Sequence, residues 1–169
     1  FKRDIHVKEC KYNPNLPIRI GMDFNNDPLS STISQIQPSG KVHVINEVRL
    51  SHGGDGDLPT QRMCDTIRIM YPNNLYFAYP DATGAAKNSS ARYSDISIIR
   101  QNKFIVKVAH INPRVINRVN AVNNQLSKNN IIVDPKCKGL IKDLEQVSNK
   151  EGTREIDKSN QHLTHLSDA

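Results

Sequence analysis

The sequence lacks the features of several large protein classes. Its three cysteines, Cys10, Cys64 and Cys137, are widely spaced and form no C-x-x-C pair, so neither a disulfide framework nor a thiolate zinc site is indicated. No apolar run is long enough to span a membrane, and the residues after Phe1 do not form a signal peptide. We therefore expect a cytoplasmic protein whose thiols are ordinary buried or half-buried side chains.

Two common ligand-binding motifs are also missing. The segment "PDATGAAKNSS" follows a strand-like run, but it has one glycine and no Gly-Lys-Ser/Thr, so no nucleotide loop is supported. The segment "DFNND" begins like a calcium loop, but Pro28 stands at the required glycine and Ser34 at the closing acid. His162 and His165 lie three residues apart without an H-E-x-x-H pattern, which is a weak indication of zinc.

What is present fits one globular domain. A length of 169 residues and an apolar content of 37% allow a substantial core. Residues 1–17 are polar and contain two prolines, which is typical of a linker or arm, and the domain is expected over residues 18–169. The sequence begins at Phe1 without a methionine, so we expect neighbouring segments in a longer protein.

The net charge of +6 is unevenly distributed. Between Gly84 and Lys150 there are twelve Lys and Arg against four Asp and Glu. Such a basic half suits a polyanion such as nucleic acid, because each neutralised phosphate releases counterions. A solvated basic surface without a ligand would have the same composition, so charge alone leaves both interpretations open.

Hydrophobic periodicity predicts three antiparallel strands followed by alternating helices and strands, hence an α/β domain with a mixed central sheet flanked by helices. The predicted strands cover residues 18–23, 31–37, 41–50, 75–79, 104–109 and 131–133. The predicted helices cover residues 58–70 with Asp57 as N-cap, 93–101, 112–126 with one apolar face, 140–147, and a last stretch from Gln161.

Aspartates close two of the predicted strands. Asp23 ends the first strand and Asp81 ends the fourth, and ligands bind beyond the carboxyl ends of the strands in such sheets. If the two strands are parallel neighbours, the carboxylates lie side by side, and a divalent cation would offset their repulsion. Hard oxygen ligands indicate Mg²⁺ or Mn²⁺, and two such ions suit phosphodiester hydrolysis. His165 and Asp168 share one face of the last predicted helix, which makes Asp168 the candidate third acid.

The order of several segments resembles a known family. The segments are "IGMDF", "LYFAYPDATG", "INPRVINRVNAVNNQL", "CKGLIKDLEQV" and "HLSDA", and together they are similar to the C-terminal nuclease domain of the large terminase subunit of tailed bacteriophages, which has a ribonuclease H-like fold. The resemblance covers almost all of residues 18–169. It implies metal-dependent cutting of concatemeric double-stranded viral DNA during packaging, with Asp23, Asp81 and Asp168 as ligands of two divalent cations and His165 close to them.

The resemblance also implies partners and a setting. An ATPase domain would precede residues 1–17, and the portal and the small terminase subunit would be partners in the cytoplasm of the bacterial host. Two departures are visible: the loop after Asp23 lacks the glycine often found there, and the sequence stops before the rest of its last helix. The basic side chains expected to bind DNA phosphates are Lys87, Arg92, Arg114 and Arg118.

Two other functions use the same features. A ribonuclease H-like resolvase or transposase core would carry the same acids, and it would prefer branched DNA or perform strand transfer. A non-catalytic module that grips DNA in a packaging motor would show no metal-dependent cleavage.

Overall fold

The structure is a computed structural model that describes residues 1–24, 28–51, 53–54, 57–81, 94–108 and 113–147. The strands are β1 (Ile18–Asp23), β2 (Leu29–Ile36), β3 (Val42–Leu50), β4 (Tyr76–Pro80), β5 (Ile105–Val106) and β6 (Ile131–Val133). The helices are α1 (Arg3–His6), α2 (Pro59–Met70), α3 (Asp95–Gln101), α4 (Val115–Ser127) and α5 (Lys138–Gln146). None of these helices is long and apolar enough to cross a membrane.

The six strands form one mixed sheet in the order β5-β4-β1-β2-β3-β6. β2 pairs antiparallel with both β1 and β3, whereas the β1–β4, β3–β6 and β4–β5 pairs are parallel. The predicted antiparallel trio is therefore confirmed, and the first and fourth strands meet the condition of being parallel neighbours. The carboxyl ends of β1, β3, β4, β5 and β6 consequently point in one direction, and that of β2 points the other way.

Different helices pack against the two faces of the sheet. Ile18, Ile20 and Met22 of β1 are buried together with residues of α2 and α3, and this side is called the α2 face. Arg19, Gly21 and Asp23 alternate with them along β1 and lie on the opposite side. That side is called the α5 face, because α5 packs on it against β3 and β6 through the cluster Val44, Val133, Cys137, Leu140 and Ile141.

The turn between β2 and β3 has the predicted position. The Gly40 N–H donates to the Gln37 carbonyl at 2.8 Å, and Gly40 has a φ of +82°, a conformation that glycine adopts without steric cost. Further along the hairpin the register shifts between Ile33 and Ser34. Such an irregularity changes which β3 residues lie opposite β2.

Residues 1–17, expected as an arm, include α1, which the sequence did not indicate. Residues 7–10 lie beside β6, whereas residues 12–16 hydrogen-bond with Gln35 of β2 and with Asn74 before β4. Val7 forms a parallel bridge with Val133. The His6 ring is buried, accepts a hydrogen bond from the Lys2 N–H at Nδ1, and lies with Nε2 2.9 Å from the Leu126 carbonyl. These contacts fix the tautomer, since Nε2 must carry the proton to donate to a carbonyl.

Two helix predictions need correction. The N-cap of α2 is Leu58 and not Asp57. The Asp57 carboxylate instead accepts from the Gly53 N–H and pairs with Arg62, because a loop amide and a guanidinium together satisfy more of its oxygens than one helix N–H would.

Most residues of the predicted apolar face of α4 are not buried in the core. Leu126 is the one buried residue of this face, and Val115 and Val122 are 37% and 40% exposed. The other two residues of the face, Ile116 and Val119, are half-buried. Periodicity identifies one apolar face of a helix, but it does not say what covers that face. The helix predicted from Gln161 lies outside the described residues.

Candidate functional site

The carboxyl ends of β1 and β4 bring two aspartates to the same edge. Met22 and Pro80 are the last paired positions of the two strands. Asp23 follows Met22 directly as the last residue of β1, and Asp81 follows Pro80 directly. Parallel strands lie about 4.8 Å apart, so the two residues continue the register as neighbours. Asp23 is only 6% exposed, and Asp81 is half-buried.

Local sequence explains why the acids lie at this position. The buried apolar residues of β1 end at Met22, and Asp23 begins a polar segment. On the other side of Asp23, the paired residue of β2 is the buried Ser30. The Ser30 hydroxyl donates to the Pro28 carbonyl at 3.2 Å. Asp23, Ser30 and Asp81 therefore bring side-chain oxygens together at this edge of the sheet.

The described part of the chain supplies two of the expected metal ligands. Within it, no three His, Cys, Asp or Glu side chains are grouped closely enough to hold a metal ion. Asp168, the expected third ligand, and His165 lie outside the described residues, as do Lys87 and Arg92. The pair Asp23 and Asp81 is thus the part of the predicted site that the structure brings together.

The cysteines are buried thiols, as expected. Burial raises the pKa of the Cys10 thiol to about 11 and that of the Cys64 and Cys137 thiols to about 12. A neutral, buried thiol is a poor nucleophile and a poor metal ligand. The three cysteines are therefore not candidates for a nucleophile or a metal ligand.

Two of the predicted DNA-binding residues lie one turn apart at the start of α4. Arg114 is the exposed N-cap residue. Arg118 is half-buried, and its buried Nε has no hydrogen-bond partner among the described contacts. Both residues therefore lie at the amino-terminal end of α4, where they are candidates for contact with DNA phosphates.

Sequence reasoning missed an aromatic and basic cluster on the α5 face. The Arg19 guanidinium lies 5.2 Å from the centre of the Phe77 ring and 6.0 Å from that of Tyr79, and it donates to the Tyr79 hydroxyl. The signal was present in the sequence: Arg19 lies four residues before Asp23 and Tyr79 lies two residues before Asp81, and an even spacing along a strand places side chains on one face.

Comparisons with known proteins identify the architecture. The sequence matches no protein-family profile and no curated protein. Among solved structures, the large terminase of a thermophilic bacteriophage is similar with a TM-score of 0.74 and 16% identity, covering 96% of this chain and 41% of that chain. This chain therefore spans less than half of that protein.

Two isolated nuclease domains are also similar. The nuclease domain of the P22 large terminase has a TM-score of 0.72 and 10% identity, covering 96% of this chain and 84% of the P22 chain. The large terminase nuclease of thermophilic phage G20c, crystallised with bound cobalt, has a TM-score of 0.58 and 11% identity, covering 88% of this chain and 75% of its own. Together with the sheet topology, these similarities show that the chain has the ribonuclease H-like fold of large terminase nuclease domains.

Proposed function

We propose that this chain is a metal-dependent endonuclease that cuts concatemeric double-stranded viral DNA during genome packaging. The observation that carries the proposal is the parallel register of β1 and β4, which makes Asp23 and Asp81 neighbours. They lie at the carboxyl edge of a sheet whose fold is shared with terminase nuclease domains. In sheets of this kind the carboxyl edge is where ligands bind.

The residues at this edge fit a hard divalent cation. Asp23, Asp81 and Ser30 offer oxygen atoms, which Mg²⁺ and Mn²⁺ prefer. The neutral, buried thiols do not suit a soft-metal site. The structure of the G20c nuclease with cobalt is consistent with divalent metal use in that protein. We infer that one ion is held by Asp23 and Asp81, and a second by Asp23 and Asp168.

The contribution of the chain is to hold charge and to position the phosphodiester. When bound, a pair of divalent ions supplies an activated water and stabilises the leaving 3′ oxygen. Asp23 is buried on a strand inside the sheet, so its carboxylate is placed with little conformational freedom. Basic side chains neutralise the flanking DNA phosphates and thereby allow a polyanion to approach an acidic edge. His165 is proposed to lie near the same edge as a supporting group.

The comparison with the large terminase of the thermophilic bacteriophage supports a proposal about the full-length protein. Since this chain spans 41% of that protein, we propose that an ATPase domain precedes residues 1–17 in the full-length protein. We further propose that the portal and the small terminase subunit are its partners in the cytoplasm of the bacterial host.

A plasmid cleavage assay tests the proposal. Supercoiled plasmid is incubated with the 169-residue chain and Mn²⁺, Mg²⁺ or EDTA, and then with the Asp23→Asn and Asp81→Asn variants. We expect nicked and linear products with Mn²⁺ or Mg²⁺, none with EDTA, and none from either variant. Metal-independent cleavage, or activity near wild type in either variant, would contradict the site. Preference for a four-way junction over linear duplex would favour a resolvase, and binding without cleavage would favour a gripping module.

A further inference from the structure

Two basic residues lie on either side of the acid pair. Arg49 of β3 is paired with Ser30 of β2, which is itself paired with Asp23. Directly cross-paired residues point to the same face of a sheet, so Arg49 belongs to the α5 face with Asp23. Arg49 is exposed, and it lies two strands away from Asp23, about 10 Å at the usual strand spacing.

Lys107 occupies the opposite side. Its N–H donates to the Ala78 carbonyl at 2.8 Å, which is a bond of the Ala78–Val106 pair and holds Lys107 directly after β5. Val106, the residue before it, packs against the core on the α2 face, so alternation places Lys107 on the α5 face. Lys107 is exposed. In the register of β4 and β5, Lys107 lies opposite Tyr79, two residues before Asp81. Its backbone is therefore about 8 Å from that of Asp81.

The charges therefore follow the order basic, acidic, basic along one edge of the sheet. Arg49, Asp23, Asp81 and Lys107 share the carboxyl edge and the α5 face, and long flexible side chains on the outside flank short carboxylates at the centre. A DNA strand crossing this edge would present its scissile phosphate to the acids and the adjacent phosphates to the cations. Arg suits bidentate phosphate contact and Lys acts as a point charge.

We propose that Arg49 and Lys107 bind the phosphates on either side of the phosphate that is cut. This inference rests on the proposed nuclease function. It also specifies the path of the cleaved DNA strand, which would cross the edge of the sheet from the β5 side to the β3 side. The DNA contacts nearest to the scissile phosphate would then lie at the carboxyl ends of β3 and β5. Arg114 and Arg118 on α4 would bind phosphates farther from the cut.

The sheet itself offers a matched control. Lys41 immediately precedes β3 and Lys103 precedes β5, so they lie at the amino ends of the strands whose carboxyl ends carry Arg49 and Lys107. Both control residues are exposed. The Arg49→Gln/Lys107→Gln and Lys41→Gln/Lys103→Gln double variants therefore remove the same charge from opposite edges of the same two strands.

The test is the salt dependence of duplex DNA binding, measured in EDTA. We expect the Arg49→Gln/Lys107→Gln variant to reduce the slope of log affinity against log salt by about two, and each single variant by about one. The Arg49→Lys/Lys107→Arg variant should keep the wild-type slope, because phosphate contact requires the charge. An unchanged slope in the Gln double variant, or an equal loss in the control variant, would overturn the inference.

A kinetic measurement separates this inference from the proposed function. With Mn²⁺ and linear duplex, the Gln double variant should raise KM while kcat stays within about threefold of wild type, since both residues contribute binding outside the reacting bond. Loss of kcat with unchanged KM would contradict the assignment of these residues to flanking phosphates. A wild-type chain that binds DNA but never cleaves it would contradict the nuclease proposal, whatever the salt slopes are.

Discussion

Glu47 of β3 accepts a hydrogen bond at 2.7 Å from the backbone N–H of Leu140 in the first turn of α5. The same carboxylate accepts from the Gly139 N–H at 2.8 Å. A side chain from a distant strand thus satisfies two of the four N–H groups that a helix leaves without internal partners. Its negative charge also lies at the positive end of the helix dipole.

We predict that Glu47→Ala destabilises the chain by about 1–3 kcal/mol, because two helix N–H groups lose their acceptor. Glu47→Gln should cost less, since one acceptor oxygen remains. Urea unfolding followed by circular dichroism gives both values. Glu145→Ala is the control: Glu145 forms an ion pair with the exposed Arg3 at 2.9 Å, and its loss should cost less than about 1 kcal/mol. Equal effects of the two Ala variants would contradict the capping role.

Metal binding at the acid pair should stabilise the fold without any DNA present. Added Mn²⁺ is expected to raise the Tm of the wild-type chain, by an amount equivalent to about 2.7 kcal/mol when the ion is at about a hundred times its Kd. Asp23→Asn and Asp81→Asn should each abolish most of this shift, and EDTA should reverse it. Asp65→Asn, an exposed acid on α2, serves as control. A full Mn²⁺ shift in either site variant would remove that residue from the metal site.

The basic residues of α4 are expected to bind phosphates without regard to sequence. Arg114→Gln and Arg118→Gln should each reduce the salt slope of DNA binding by up to about one. Arg118 is half-buried, so its variant should also lower Tm, whereas the exposed Arg114 should not. Lys142→Gln on α5 provides an exposed control of equal charge. An unchanged slope for both Arg variants would show that neither residue contacts a DNA phosphate.

The roles of Asp168 and His165 can be distinguished by rate. We predict that Asp168→Ala eliminates Mn²⁺-supported cleavage, whereas His165→Ala lowers it by about 10–100-fold, the usual scale for a residue that supports a metal site. Cleavage rates measured across a Mn²⁺ titration decide between the two roles. His165→Ala at the wild-type rate at every concentration would remove His165 from the site, and partial activity of Asp168→Ala would show that it is not a ligand.

The two aspartates were predictable because their cause is local: a strand-like segment that ends at an aspartate is visible in the sequence. Parallel pairing of the first and fourth strands was only a condition, because helical crossovers favour parallel pairing of the later strands without specifying which strands are neighbours. The position of Arg49 was not predictable in the same way. It depends on the register of β3, which the irregularity between Ile33 and Ser34 shifts, and a shift of one residue moves a side chain to the other face.

The cap on α5 and the exposure of α4 have no local signal at all. Glu47 and Leu140 are far apart in the chain, with several helices and strands between them, so their hydrogen bond exists only through the tertiary fold. The apolar face of α4 has the periodicity of a core helix, yet only Leu126 is buried. Periodicity reports what a helix could bury, and the rest of the fold decides what it does bury.

The pairing of β1 with β4 also determines when the site can exist during folding. The residues that adjoin the acids, Met22 and Pro80, are separated in the chain by the β2–β3 hairpin and α2. Bringing such distant segments together requires loop closure before the contact is gained, so the pairing belongs to the slower part of folding. A chain emerging from the ribosome therefore lacks the paired carboxylates until β4 has been made and has docked, and unfinished chains would lack the acid pair on which the proposed function depends.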